Sequence, residues 1–257
     1  MGHGAHHRRP RRFLALLVAF LVNEQRGRNP LLPLSIFRIK GLAAADVTQL
    51  VAVAGFLSMF FFLSLYMVNV LGYSPLETGS AYLPLCFGVG IAAGISTKVI
   101  PRAGTRPLMI AGLLLAAAGL YLLSRIPVDG HYLTDLLPGL MLASFGLGFT
   151  FVSITAAANA NVPPDKAALA AALLNASQQL GGALGLAVLS AVAASRTGDL
   201  LADRTPMPEA LTSGFSRALL ADAVFLVAAV VALRAANTTG EAEEVPLDTS
   251  PEPVPAK

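Results

Sequence analysis

The run from Ala167 to Ser195 holds no charged residue, yet its middle carries Asn175, Gln178 and Gln179 followed by Gly181, Gly182 and Gly185. Amides in an apolar setting can hydrogen-bond across a helix contact, or offer a solute both a donor and an acceptor. Residues three or four apart share one side of a helix, so these positions form a stripe. Two further runs have similar stripes: Ser58, Phe62, Tyr66 and Asn69 follow Gly55, and Ser144, Phe151, Thr155 and Asn159 surround Gly148. The eleven polar and aromatic side chains of the three stripes are the candidate walls of a substrate cavity. Gly181, Gly182 and Gly185, with Gly90 and Gly94 in another run, are candidate points of close helix packing. Asp222 is the sole acid inside an apolar run, and an intramembrane carboxylate is a candidate proton carrier. Its expected place near the outer end of its run, five residues from Arg217, also suits a snorkelling ion pair.

Catalysis and metal binding find no support in these residue types. Past the N-terminal cluster of His3, His6 and His7 the one histidine is His131, and no pair of carboxylates shares an apolar run. A flexible terminal histidine cluster lacks the fixed geometry of a metal site. No enzyme, cofactor or metal is expected.

The elements that must position the stripes follow from composition. The chain is 55% hydrophobic and 13% charged, against about 25% charged in an average soluble domain. Six runs have the roughly 20 apolar residues that cross a bilayer core: Val47 to Leu71, Thr78 to Thr97, Pro107 to Ser124, Leu136 to Asn161, Ala167 to Ser195 and Ala218 to Leu233. In lipid every backbone amide needs an internal partner, and the runs lack the alternation of barrel strands. The expected fold is an all-α polytopic membrane bundle. The third and sixth runs are almost uniformly apolar, as in two three-helix repeats whose third members stand outermost against lipid. The lone Cys86 is expected as a small buried hydrophobe. No concentrated basic face points to nucleic acid.

Four segments result. Residues 1–12 form a disordered basic N-terminus; 13–40 hold the end of a preceding membrane helix, Phe13 to Val22, plus a cytoplasmic linker; 41–235 are the six-helix bundle; 236–257 are a disordered, acidic, proline-rich tail. Lys and Arg gather before the first run, at Lys98, Arg102 and Arg106, at Lys166 and at Arg234. Both ends of the six-span block are therefore expected in the cytoplasm, in a cell membrane.

NPLLPLSIFR at 29–38, NVLGYSPLETGSAYLPL at 69–85, PRAGTRPLMIAGL at 101–113, PGLMLASFGLGFTF at 138–151 and NASQQLGGALGLAVL at 175–189 together resemble the C-terminal half of the major facilitator superfamily, in its branch of fourteen-span drug:proton antiporters. The resemblance implies a six-helix half bundle preceded by the end of the branch's extra central helix pair. It implies that Lys98, Arg102, Gly104 and Arg106 copy the superfamily's basic cytoplasmic loop, although the acid of that loop is absent. An Arg often found ahead of the fifth-run amide is Gln178 here, which leaves that stripe neutral. The implied function is proton-coupled efflux of drugs or other lipophilic small molecules, with an N-terminal half or a second copy supplying the other wall. The alternative is a non-transporting membrane fragment or an interaction module that assembles with a partner half.

Overall fold

The computed structural model describes residues 42–160 and 162–235, all helix, turn or connection, with no strand among them. The expectations for residues 1–12, 13–40 and 236–257 fall outside the described residues. Six helices have the length and apolarity to cross a membrane. They are α1 (Leu42–Asn69), α2 (Pro75–Ala103), α3 (Thr105–Leu123), α4 (Tyr132–Asn159), α5 (Ala167–Ala202) and α6 (Met207–Ala235).

Local chemistry sets several of these ends. Ser74 and Glu77 form a reciprocal capping box at the start of α2: the Glu77 amide donates to Ser74 Oγ at 3.3 Å, and the Ser74 amide donates to Glu77 Oε2 at 2.8 Å. The helix breaks at Tyr82, ahead of Pro84, and resumes at Leu83. Gly104 takes φ 81°, a conformation open to glycine at little cost, and so joins α2 to α3 with one residue. At the start of α4 the His131 amide donates to Asp135 Oδ2 at 2.7 Å, ahead of a single π turn.

The last two helices are longer than their apolar runs. α5 continues through Arg196 and Asp199, and α6 already begins at Met207 rather than at Ala218. Charge marks where a helix can leave hydrocarbon, and backbone hydrogen bonding carries on past that point.

Small residues decide which helices touch. α2 lies parallel to α4, where a Cβ on Gly88 would strike Ser144 and one on Gly148 would strike Ala92. α5 lies parallel to α1 in the same manner, with Gly181 against the Leu50 backbone and Gly185 against Ala54. Each unit of three thus lends its second helix to the first helix of the other unit. α3 runs antiparallel to α4 along a glycine seam: a Cβ on Gly112 would lie 3.0 Å from the Gly146 carbonyl, and one on Gly119 would lie 2.6 Å from the Ala143 amide nitrogen. α6 crosses α1 antiparallel, stacking Phe215 on Phe62 with ring centroids 5.8 Å apart.

Within this six-helix half α3 and α6 pack on each other and on α4 and α1, while α2 and α5 leave the most surface uncovered. Lipid tails and a protein interior are equally apolar, so a uniformly greasy helix suits both surroundings.

Candidate transport site

The three stripes divide by burial. Ser58, Phe62, Tyr66 and Ser144 are at most 2% exposed, inside the bundle. Tyr66 Oη donates to the Pro127 carbonyl at 2.7 Å, pinning the α3–α4 connection across the end of α1. Ser144 Oγ donates to the Met141 carbonyl at 2.7 Å and occupies the notch left by Gly88. These four fill helix contacts within the chain, so as placed they do not line a path open to a solute. Their polar atoms gave the same stripe signal that a cavity would.

Phe151 is half-buried and reaches from α4 to Phe56 on α1, ring centroids 6.1 Å apart. Asn69, Thr155, Asn159, Asn175 and Gln179 are exposed. Three of them turn a donor onto the preceding turn of their own helix: Asn69 to Leu65 O, Thr155 to Phe151 O and Asn159 to Thr155 O, at 2.8 to 2.9 Å. Asn69 ends α1, whereas Asn159 ends α4 on the opposite side of the bundle, and Asn175 and Gln179 follow eight and twelve residues after Ala167, the first residue of α5. Hence the stripes do not meet at a single depth.

Gln178 has a partner on another helix. Gln49 Nε2 on α1 donates to Gln178 Oε1 at 3.5 Å, and one turn below Ser177 Oγ donates to Asp46 Oδ1 at 3.4 Å. Asp46 and Gln49 form a polar seam with α5 that the sequence reading missed: Asp46 stands one residue before the run that starts at Val47, and Gln49, inside that run, lies outside its Gly55–Asn69 stripe. Their i, i+3 spacing was the available signal. Phe145 and Phe149, half-buried one turn apart on α4 with ring centroids 6.3 Å apart, were missed as well. They precede Thr155 and Asn159 on the same helix, by six residues or more.

Of the glycines, Gly181, Gly182 and Gly185 press against Leu50, Leu57 and Ala54 of α1. Gly90 and Gly94 differ from expectation: a Cβ on either would meet nothing within 4 Å among the described residues, so none of the described helices packs on them. Cys86, on the same helix, is exposed rather than buried. In the basic loop Lys98 and Arg102 are exposed, and Arg106 Nη2 donates to the carbonyls of Leu233 at 2.9 Å and Arg234 at 3.3 Å. A cation at these terminal carbonyls offsets the negative end of α6.

Asp222 also departs from its expected place. α6 begins well before it, so it sits at mid-helix, 1% exposed, against Gly55 of α1, while the Arg217 side chain is exposed. It is an interior residue and not a snorkelling one.

The profile of the Major Facilitator Superfamily matches residues 6–186. The chain belongs to that superfamily. It is 38% identical over 248 residues to the puromycin resistance protein pur8 of Streptomyces alboniger, covering 90% of this chain and 49% of that protein. It is 36% identical over 197 residues to the tetracenomycin C resistance and export protein of Streptomyces glaucescens, covering 75% and 36%. With the cephamycin export protein CmcT of Amycolatopsis lactamdurans it shares 33% identity over 223 residues, 85% and 44% of the two chains. The chain spans about half the length, or less, of these relatives. Their names give resistance and export roles, and this superfamily member has six helices long and apolar enough to cross a membrane among its described residues.

Proposed function

We propose that the chain is the C-terminal half of a proton-coupled exporter of lipophilic small molecules, with both ends of its six-span block in the cytoplasm of a cell-membrane protein. The carrying observation is the set of exposed polar side chains on α4 and α5, Thr155, Asn159, Asn175 and Gln179, on two largely apolar helices of which α4 also carries the half-buried Phe145 and Phe149. Amides and aromatic rings suit ligands that are large, apolar and variable, with few fixed polar contacts. The exposed sides of α2 and α5 are the surfaces for an N-terminal half, since alternating access is a rocking of one bundle against another. The resistance and export roles named for the relatives support the same reading.

Reconstitution tests it. Vesicles carrying the chain together with the N-terminal half of the puromycin resistance relative are expected to move puromycin or a lipophilic cation when a proton gradient is imposed. Vesicles with the chain alone are expected to move neither. Absence of gradient-driven movement in the two-half vesicles, with both halves inserted, defeats the proposal and leaves a non-transporting assembly module.

A further inference from the structure

Asp222 lies fifteen residues after Met207 and thirteen before Ala235, and the residue it faces, Gly55, is just as central in α1. Its side chain is 1% exposed, and Oδ2 is buried without a hydrogen-bond partner. A Cβ on residue 55 would lie 2.7 Å from Oδ1 and 3.3 Å from the carboxyl carbon, so the glycine is what gives the acid its seat. The stacked rings of Phe62 and Phe215 close the same interface toward the Asn69 end of α1.

No other titratable or charged group of the packed helices shares that depth. On α1, Asp46 is nine residues from Gly55 and Tyr66 eleven the other way; α3 carries Arg106 and Tyr121 near its ends; α5 carries Arg196 and Asp199 in its last turns; on α6 itself Glu209, Arg217 and Arg234 are five or more residues away. At about 1.5 Å of rise per residue, Asp46 is ~13 Å along the axis and the exposed Arg217 ~7 Å. A carboxylate in this seat would hold one oxygen with neither water nor donor, a large desolvation cost. A carboxylic acid fits it.

We propose that Asp222 is a proton-exchange site within this bundle, protonated while α1 and α6 are closed over it and deprotonated when their contact opens. On opening, the Oδ–H bond breaks, the proton passes to entering water, and the electron pair stays on the now solvated carboxylate; closure reverses the step. The assignment builds on the proton-coupled reading above and adds the residue and the contact that carry the proton.

Two measurements test it. Infrared spectra of the purified chain in phosphatidylcholine vesicles are expected to show the carbonyl stretch of a protonated carboxylic acid that exchanges slowly in deuterated water. That band is lost in Asp222→Asn and kept in Asp46→Asn; persistence of the band in Asp222→Asn overturns the proposal. The amide variant keeps size and shape, and Gly55→Ala gives a second check, since crowding the seat is expected to speed the exchange or shift the band. In two-half vesicles Asp222→Asn is expected to lose gradient-driven export while retaining substrate counterflow. Unchanged gradient-driven export in Asp222→Asn overturns the proton assignment and leaves the export reading intact. If the wild type exports nothing, the export reading falls, and the infrared comparison still decides the fate of Asp222.

Discussion

At the level of single side chains, the bundle uses its polar groups mainly to fasten helices. Tyr66, Ser144 and the Gln49–Gln178 pair each place a polar atom against another element. Hydrogen bonds between membrane helices average about 0.6 kcal/mol in double-mutant cycles, because the separated helices also find partners. The Gln49–Gln178 contact, at 3.5 Å, should fall at or below that mean. We expect Gln49→Leu and Gln178→Leu to show a coupling of ~0.5 kcal/mol in a denaturation cycle. A coupling near zero would assign Gln178 to the solute side instead. Tyr66→Phe should cost about 1 kcal/mol, since the buried hydroxyl that donates to the Pro127 carbonyl is removed. Thermal unfolding of the purified chain in detergent measures it. Such polar atoms were legible in the sequence as stripes, but their direction was not. A serine that back-bonds to its own helix, as Ser144 does, has the same spacing as one that meets a substrate.

Whole helices were easier to read than the faces they present. Six apolar runs became six helices, because length and hydropathy are fixed by the bilayer and not by neighbours. Their ends were read less well. The runs stopped at Val47 and Ser195, whereas the helices begin at Leu42 and continue to Ala202, and the lost turn of α1 held Asp46. The order of packing was hidden for a different reason. The glycines that set it, Gly112 and Gly119 on α3 against Gly146 and Gly139 on α4, lie seven apart and match only when the two helices are laid antiparallel. That seam makes a prediction. A side chain on Gly119 would meet the backbone of Ala143, which cannot move aside as a side chain can. Gly119→Leu should therefore destabilise the bundle by about 1–3 kcal/mol or more, as overpacking does. A melting temperature equal to that of the wild type would show that α3 and α4 are not held at this distance.

The molecule as a whole presents two kinds of outer surface. α3 and α6 turn only one apolar side outward, with Leu114 and Leu122 on α3 and Val224 and Val231 on α6 exposed. α2 and α5 expose far more, and α2 carries there Phe87, Ile91 and the open notch of Gly90 and Gly94. Among the described residues nothing packs into that notch, yet glycines four apart let another helix approach closely wherever one is supplied. An N-terminal half is the body that the proposed rocking mechanism requires, and α2 offers it a groove beside Cys86, the chain's one cysteine. Gly90→Leu, in contrast to Gly119→Leu, should leave the melting temperature of the chain alone unchanged. In detergent with an N-terminal half added, the wild-type Cys86 thiol should become protected from a maleimide dye, and Gly90→Leu should abolish that protection. Equal labelling of wild-type Cys86 with and without the added half would place the partner on another face. Loss of stability in Gly90→Leu alone would mean instead that the notch already serves a contact inside this bundle.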